Sequence, residues 1–161
     1  MPRRPQGKVC GLTLQADSGP TVLHVSTGLG RGGAEHTLYK LCLAGENPVL
    51  GVVSLGSLGH FGPLLVERGI PVYELNLGRS NLLLAILKTR AILKSLNPDV
   101  LQTWMPHANF IGTLAARSLG MKRIIWGVRA TNYHYGFRDW FNILMIGFLA
   151  LMSHWWHDPI F

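Results

Sequence analysis

A glycine-rich stretch, Gly28-Leu29-Gly30-Arg31-Gly32-Gly33, constrains the fold of this chain more than any other feature of its sequence. The run before it, Val22–Ser26, has the β-branched composition of a buried strand, and Ala34–Ala44 after it has helical apolar spacing. Glycines let the backbone turn tightly and approach a ligand without a Cβ in the way. The order strand, glycine loop, helix therefore predicts a β-α unit whose loop is open to an anion.

The alternation of strand-like and helix-like segments continues along the chain. Further strands are predicted at Val49–Leu55, Pro71–Leu75, Val100–Trp104 and Arg123–Val128, and further helices at Phe61–Arg68, Asn81–Leu96, Ala108–Leu119 and Asp139–Met152. Several of these strands are almost continuously apolar, which is typical of parallel sheets covered on both faces. The predicted fold class is α/β, with a Rossmann-like parallel sheet and helices on both faces.

Local signals predict where the helices begin and end, and which of their residues face the protein interior. Gly69 and Gly120 follow helices as C-cap glycines, and Asn97-Pro98 stops the long helix, for which Asn81 is the expected N-cap. The inner stripes are expected to hold Leu38, Leu41 and Cys42 in the first helix and Ile86, Leu93 and Leu96 in the long one.

The length of 161 residues is that of one domain. Residues 1–20 are interpreted as a basic tail and residues 21–161 as the domain, which stops where such a sheet often has another strand. The expectation is a domain cut short, with a second domain beyond it. The apolar segment Phe141–Met152 is too short to span a bilayer. Its flanking tryptophans suit a membrane interface, although a buried helix explains it more simply.

The composition excludes several classes of protein. An apolar content of 48% with 14% charged residues excludes a disordered chain, and two cysteines exclude a disulfide scaffold and a four-cysteine zinc site. His134, His154 and His157 are too scattered to suggest a metal site, so none is predicted. The net charge of +7 favours an anionic partner without choosing among them.

The glycine loop matches G-x-G-x-x-G in the context that this motif requires. Amides at a helix N-terminus favour phosphate, so Gly30, Arg31, Gly32 and Gly33 are the predicted phosphate-binding residues. A dinucleotide site also needs an acid at the end of the second strand, and Val52-Val53-Ser54-Leu55-Gly56 has none. A nicotinamide-binding protein stays as an alternative, as does a tight turn without ligand.

Four blocks of the sequence resemble glycosyltransferases of family 4, which have the GT-B fold. They are VLHVSTGLGRGGAEHTLYKLC with its Gly-Gly-Ala-Glu turn, LGSLGHFGPLLVERGIPVYEL, LNPDVLQTWMPHANFIGTLAARSLG and IIWGVRATN, which together cover roughly residues 21–132. They are similar to blocks of bacterial enzymes that build lipopolysaccharide, capsule or exopolysaccharide.

The resemblance implies transfer of a sugar from a nucleotide-sugar to a glycan or lipid-linked acceptor, with retention of anomeric configuration and no metal or other cofactor. Two Rossmann-like domains would face each other across a cleft, the first holding the acceptor and supplying the glycine loop. The second would hold the nucleotide and carry a Glu-x7-Glu motif, which this sequence lacks. The chain is thus expected to be the N-terminal half, either as a truncated product, as a fragment, or as one half of a split enzyme with a separate C-terminal domain as a partner.

The resemblance also implies roles for single residues. His107, just past the fourth strand, and Glu35, of the Gly-Gly-Ala-Glu turn, are the candidate catalytic residues, and Arg129 and Asn109 are the candidate acceptor contacts. Three of them have a plainer interpretation: His107 as a backbone-bonded histidine, Glu35 as a carboxylate that stabilises the helix N-terminus, and Arg129 as a strand-end arginine. Trp104 and Trp126 are expected in the core.

Basic residues outnumber acidic ones in the middle of the chain, where only Asp99 opposes Lys88, Arg90, Lys94, Arg117, Lys122 and Arg123. With the apolar segment Phe141–Met152 they suggest a cytoplasmic protein that docks on anionic lipid at the inner face of the cell membrane. Nucleic acid is not a predicted partner, because no aromatic and basic pattern typical of such binding occurs. A non-catalytic module that binds a nucleotide or phosphoglycan is a further alternative.

Overall fold

The computed structural model describes residues 19–45, 47–76 and 81–127, together with Gly147. Along the chain, strands and helices alternate as β1 Val22–Ser26, α1 Gly33–Leu43, β2 Val49–Ser54, α2 Phe61–Glu67, β3 Val72–Glu74, α3 Leu82–Leu96, β4 Val100–Trp104, α4 Pro106–Arg117 and β5 Ile124–Gly127. These elements follow the predicted order, and their bounds agree with the predicted ones within two residues.

The strands form one parallel sheet in the order β3-β2-β1-β4-β5. The chain builds outward from β1 to β3 and then returns to the other side of β1, so the direction reverses between β1 and β4. Ser26 pairs with Ser54 on one side and with Trp104 on the other, which brings the carboxyl ends of β1, β2 and β4 to one level. Open α/β sheets bind their ligands at such a reversal.

Helices cover both faces of the sheet. Successive side chains of a strand point to opposite faces, so the strands contribute to two apolar clusters. Leu23 and Val25 pack with residues of α3 and α4 in one apolar cluster. Val52 of β2 packs on the other face with Leu38 of α1 and Leu65 of α2. Burying a leucine or valine side chain is worth about 1.5–3 kcal/mol, so the two clusters supply most of the stabilisation. The predicted α/β class is confirmed.

The predicted helix ends are confirmed in their geometry. Gly69 has a φ of 78°, and the N–H groups of Gly69 and Ile70 donate to the carbonyls of Val66 and Leu65, as in a Schellman motif. Gly120 closes α4 in the same way, and Asn97 ends α3 in the left-handed conformation. The two glycines and Asn97 thus end their helices because each adopts the left-handed backbone conformation that a helix end requires.

Three local predictions are wrong in part. Leu41 is 41% exposed, because it lies roughly 100° of helical rotation from Cys42 and outside the narrow stripe of α1 that meets the sheet. Asn81 stands at the N-cap of α3, yet its side chain makes no capping hydrogen bond. Helix α4 begins at Pro106, two residues earlier than predicted.

Other predictions concern residues outside the described part of the chain. They are the basic tail up to residue 18, Arg129, and the helix Asp139–Met152 except for Gly147, which is helical. Among the described residues, no helix is long and apolar enough to cross a membrane.

Candidate functional site

The glycine loop joins β1 to α1 at the carboxyl edge of the sheet. Gly28, Gly30, Gly32 and Gly33 all have backbone conformations open to any residue, since the glycines with φ in the left-handed range lie elsewhere in the described chain. A Cβ at Gly28, Gly30 or Gly33 would meet no described atom within 4 Å. The turn itself therefore does not demand these glycines. What Gly28, Gly30 and Gly33 provide is backbone beside open space.

The segment after β2 holds the loop from one side. The Gly56 N–H donates to the Thr27 carbonyl over 3.0 Å, and the Phe61 N–H donates to the Leu29 carbonyl over 2.9 Å. Leu29 itself is fully buried among the apolar side chains of α1 and α2. The loop is thus anchored at Leu29. The glycines on either side of Leu29 have no side chain that packs into the core.

A hydroxyl at the end of each of two neighbouring strands fixes the turn that follows. Ser26 Oγ donates to the Gly28 carbonyl over 2.8 Å, and Ser54 Oγ donates to the Ser57 carbonyl over 2.7 Å. Serine side chains commonly close turns in this way. The two turns start level because Ser26 and Ser54 are partners in the sheet.

Glu35 lies at the third position of α1, where a carboxylate gains from the helix dipole. Its carboxylate fills the space that a side chain at Gly32 would take. Of the predicted phosphate-binding residues, Gly30 and Gly33 therefore face open space, whereas Gly32 is covered by a group of the same charge as a phosphate. Arg31 is exposed between them and adds a positive charge to the loop.

The segment after β4 lies beside the glycine loop, because Trp104 pairs with Ser26 and both strands end there. Met105 links β4 directly to α4, and His107 is the second residue of that helix. The His107 side chain is exposed at the same edge of the sheet as the loop. The structure thus brings the predicted catalytic histidine and the predicted phosphate loop to neighbouring strand ends.

Asn109 lies inside the protein, with 1% of its surface exposed. With the amide turned so that its nitrogen faces the surrounding acceptors, Nδ2 lies 2.8 Å from Thr103 Oγ1 and 3.2 Å from the carbonyls of Thr103 and Met105. This position does not support the predicted acceptor contact, because the amide faces Thr103 and the Met105 carbonyl inside the protein and not the surface. Arg129, the other predicted acceptor contact, lies outside the described residues.

Two histidines that the sequence analysis did not single out flank the loop on its other side. His36 of α1 stacks on the Phe61 ring at 5.8 Å, and His60 meets the same ring edge-on at 5.0 Å. Both side chains are exposed, and the Phe61 N–H is the group that holds Leu29. His36 lies in the first turn of α1 and His60 is the N-cap residue of α2, and this placement at the starts of helices that follow strands was the available signal.

His24, in the middle of β1, is 2% exposed, and its Nδ1 accepts a hydrogen bond of 3.4 Å from the Trp104 indole. Burial lowers the pKa of this imidazole from 6.5 to about 4, because the charged form loses its hydration. His24 is therefore a neutral core residue at neutral pH. Trp104 is buried with it, which confirms the prediction that this tryptophan belongs to the core.

Among the described residues, the remaining titratable groups give no candidate metal site. Cys42 is buried against the sheet, and this burial raises the pKa of its thiol to about 12, so it stays protonated and unreactive. In the part of the chain that the structure describes, no three His, Cys, Asp or Glu side chains are grouped so that they could hold a metal ion.

No protein-family model matches the chain, and no curated protein matches it either. Solved structures do share its fold. UDP-GlcNAc 2-epimerase from Neisseria meningitidis, bound to UDP-GlcNAc, is 20% identical, with a TM-score of 0.53 over 80% of this chain and 38% of that one. S. aureus MnaA, solved with UDP, is 19% identical, with a TM-score of 0.54 over 81% of this chain and 37% of that one.

MurG from Acinetobacter baumannii is a third similar structure, 20% identical, with a TM-score of 0.50 over 66% of this chain and 33% of that one. The chain thus spans 33–38% of the length of these three proteins. At such identities the likeness shows the fold alone: the described part of the chain is a Rossmann-like α/β domain with the architecture found in GT-B proteins.

Proposed function

We propose that this chain is the acceptor-side domain of a retaining GT-B glycosyltransferase of the family 4 kind. It would transfer a sugar from a nucleotide-sugar to a glycan or lipid-linked acceptor in the synthesis of a cell-surface polysaccharide. The observation that carries the proposal is the open space beside Gly28, Gly30 and Gly33, at residues whose backbone does not itself require glycine. The loop stands where open α/β sheets bind ligands.

The chemistry of sugar transfer explains why such a loop is useful. As the bond from the sugar to the diphosphate breaks, negative charge builds on the leaving phosphate oxygens. Backbone amides near the start of α1, with the helix dipole behind them, are fixed in place and stabilise that charge without reorganising. Gly30 and Gly33 allow the phosphate to come close, and Arg31 adds a cation at the same turn.

His107 is proposed to face the reacting sugar from the end of β4, where its exposed imidazole can orient a hydroxyl or accept a proton. Glu35, the other candidate catalytic residue, is proposed to face the site from the start of α1. Its carboxylate over Gly32 has to share this helix end with the incoming phosphate. Like charges at one helix N-terminus oppose each other, so Glu35 would favour an arrangement in which the phosphate sits against Gly30 and Gly33.

The comparisons support a nucleotide-sugar as the partner, since two of the similar structures were solved with UDP-GlcNAc or UDP. The family pattern adds a second Rossmann-like domain with the nucleotide site, and the 33–38% of each neighbour that this chain covers is consistent with it. We propose that this second domain completes the cleft opposite the glycine loop.

The binding test compares UDP and UDP-GlcNAc by calorimetry, on the chain alone and with the second domain supplied, before and after Gly33→Val and Gly30→Val. Because both side chains would enter the open space of the loop, each variant is expected to weaken binding by about tenfold or more while the unfolding midpoint stays the same. Ala44→Val, at the far end of the same helix, is the matched control and should change neither quantity.

The outcomes separate the alternatives. Equal affinity of Gly33→Val and the unchanged chain would exclude the loop as the phosphate site. Tight binding of NAD without binding of UDP would favour the nicotinamide alternative. With the second domain supplied, sugar transfer that is lost in His107→Ala supports the enzyme, whereas binding without any transfer supports the non-catalytic module.

We further propose that the domain docks on an anionic lipid surface through α3. Leu83 and Leu87 are 70% and 52% exposed and lie on one stripe of the helix, with the exposed Lys94 further along it. Helix α3 contains Lys88, Arg90 and Lys94 and no acidic residue. Exposed leucines beside basic side chains suit the boundary between acyl chains and anionic headgroups.

Co-sedimentation with vesicles of phosphatidylglycerol, and of phosphatidylcholine alone, tests this surface. Leu83→Asp with Leu87→Asp is expected to reduce binding to the anionic vesicles by at least about fivefold, since both apolar contacts are lost and two like charges are added. Val66→Asp, at another exposed apolar residue (56%) on α2, is the control and should bind normally. Equal binding of both variants to the anionic vesicles would overturn the lipid proposal. It would also be overturned if the chain were a dimer that only the leucine changes disrupt, because α3 would then be a contact between two copies of the chain.

A further inference from the structure

Met105 has a backbone conformation that residues other than glycine rarely adopt. Its φ is 74° and its ψ is 151°, outside the regions open to side chains with a Cβ. Such conformations cost energy and persist only where neighbouring groups enforce them, most often at functional sites. Met105 stands between β4 and α4, immediately before Pro106 and His107.

Hydrogen bonds hold this conformation from two sides. The Met105 N–H extends the pairing of β4 with β5 by donating to the Gly127 carbonyl over 3.1 Å. On the other side, the Asn109 backbone N–H donates to the Met105 carbonyl over 2.9 Å, and Asn109 Nδ2 lies 3.2 Å from the same oxygen. Both polar groups of Met105 are therefore engaged, and one residue of α4 contacts its carbonyl twice.

The side chain of Asn109 also reaches back into β4, where Nδ2 lies within hydrogen-bonding distance of Thr103 Oγ1 and the Thr103 carbonyl. Thr103 is fully buried, and its methyl group would lie 2.6 Å from a Cβ at Gly112, so α4 sits close on the strand at this point. The Asn109 amide thus connects the end of β4 with the first turn of α4, on either side of the strained residue Met105.

We propose that Asn109 is a positioning residue that holds Met105 in its strained conformation and so fixes His107 at the carboxyl edge of the sheet. Met105 decides the angle at which the chain leaves β4, and His107 follows only two residues later. Releasing the amide allows Met105 to relax toward an ordinary conformation, which swings the first turn of α4 and its histidine. Asn109 therefore acts on the site through the backbone, without touching a ligand.

A double-mutant cycle on the 161-residue chain tests the clamp without any ligand. Met105→Gly removes the steric cost and is expected to raise the thermal unfolding midpoint. Asn109→Ala is expected to lower the urea unfolding midpoint in the original background at least about twice as much as in the Met105→Gly background, because the strain to be held is then gone. Equal losses in both backgrounds would refute the clamp.

The second readout follows His107 itself, by the chemical shifts of its ring signals. They are expected to move in Asn109→Ala and to stay in place in Met105→Gly, because glycine adopts the same backbone without strain and Asn109 still holds it. Thr113→Val is the matched control, because Thr113 is an equally buried polar residue of α4 whose hydroxyl accepts a hydrogen bond of 2.9 Å from the Trp126 indole. Unmoved His107 signals in Asn109→Ala, or the same movement in Thr113→Val, would reduce Asn109 to an ordinary structural residue.

A third arm measures UDP affinity and rests on the proposed function. Asn109→Ala is expected to weaken binding by about tenfold, since small displacements at a site are costly, whereas Met105→Gly is expected to bind UDP as the unchanged chain does. If the unchanged chain binds UDP neither alone nor with the second domain supplied, the proposed phosphate site at the glycine loop fails, while the cycle and the His107 signals still decide the clamp. Unchanged affinity of Asn109→Ala, where the unchanged chain binds UDP, would refute the positioning role at that ligand.

Discussion

Gly59 and Gly69 both have left-handed backbones, with φ of 53° and 78°, but their surroundings differ. A Cβ at Gly69 would meet nothing within 4 Å among the described atoms. A Cβ at Gly59 would run into the Leu29 carbonyl and lie 2.6 Å from the Gly30 nitrogen, at the centre of the glycine loop. Gly69 serves only its own turn, whereas Gly59 makes room for the candidate site.

Alanine at each position separates these two purposes. Gly69→Ala is expected to lower the free energy of unfolding by about 1–2 kcal/mol, the cost of a side chain in the left-handed region. Gly59→Ala carries the same cost and must also displace backbone, so it is expected to lose more stability and to shift the amide resonances of Leu29 and Gly30. Urea unfolding and amide spectra measure both effects. Equal losses, with unmoved loop resonances, would contradict the packing of Gly59 against the loop.

At the scale of helices and strands, the sequence predicted what local chemistry controls. Short β-branched runs became strands, and Gly69 and Gly120 ended helices because a left-handed residue was needed there. The early start of α4 also had a local signal that the prediction missed, since proline is favoured in the first turn of a helix and Pro106 occupies that place.

Features that depend on how elements pack were not predictable in this way. Leu41 belongs to the apolar spacing of α1 and still faces solvent, because the width of the buried stripe depends on the sheet beneath it. Asn109 follows the predicted catalytic histidine closely, but only the position of β4 shows that its amide turns inward. The open space beside Gly30 and the stacking of His36 on Phe61 likewise depend on residues distant in sequence.

At the scale of the whole molecule, the central strand carries an imidazole into the middle of the core. His24 lies in β1 with β2 on one side and β4 on the other, and the Trp104 indole donates to its Nδ1. In the unfolded chain this imidazole would titrate near its usual pKa of 6.5, whereas burial lowers the pKa in the folded protein to about 4. Unfolding therefore takes up a proton between these two pH values.

Folding stability should consequently fall as the pH drops from 6.5 through 4, because the unfolded state binds more protons there and low pH favours it. The difference between the two pKa values corresponds to roughly 3 kcal/mol for His24. In His24→Gln, which keeps an acceptor for the indole, urea unfolding at pH 7, 5.5 and 4 should show a weaker dependence by about that amount. His36→Gln, at an exposed histidine of α1, is the control for the substitution itself. Parallel curves for the unchanged chain and His24→Gln would show that the buried histidine does not govern acid unfolding, and that the core admits water or a proton at the centre of the sheet.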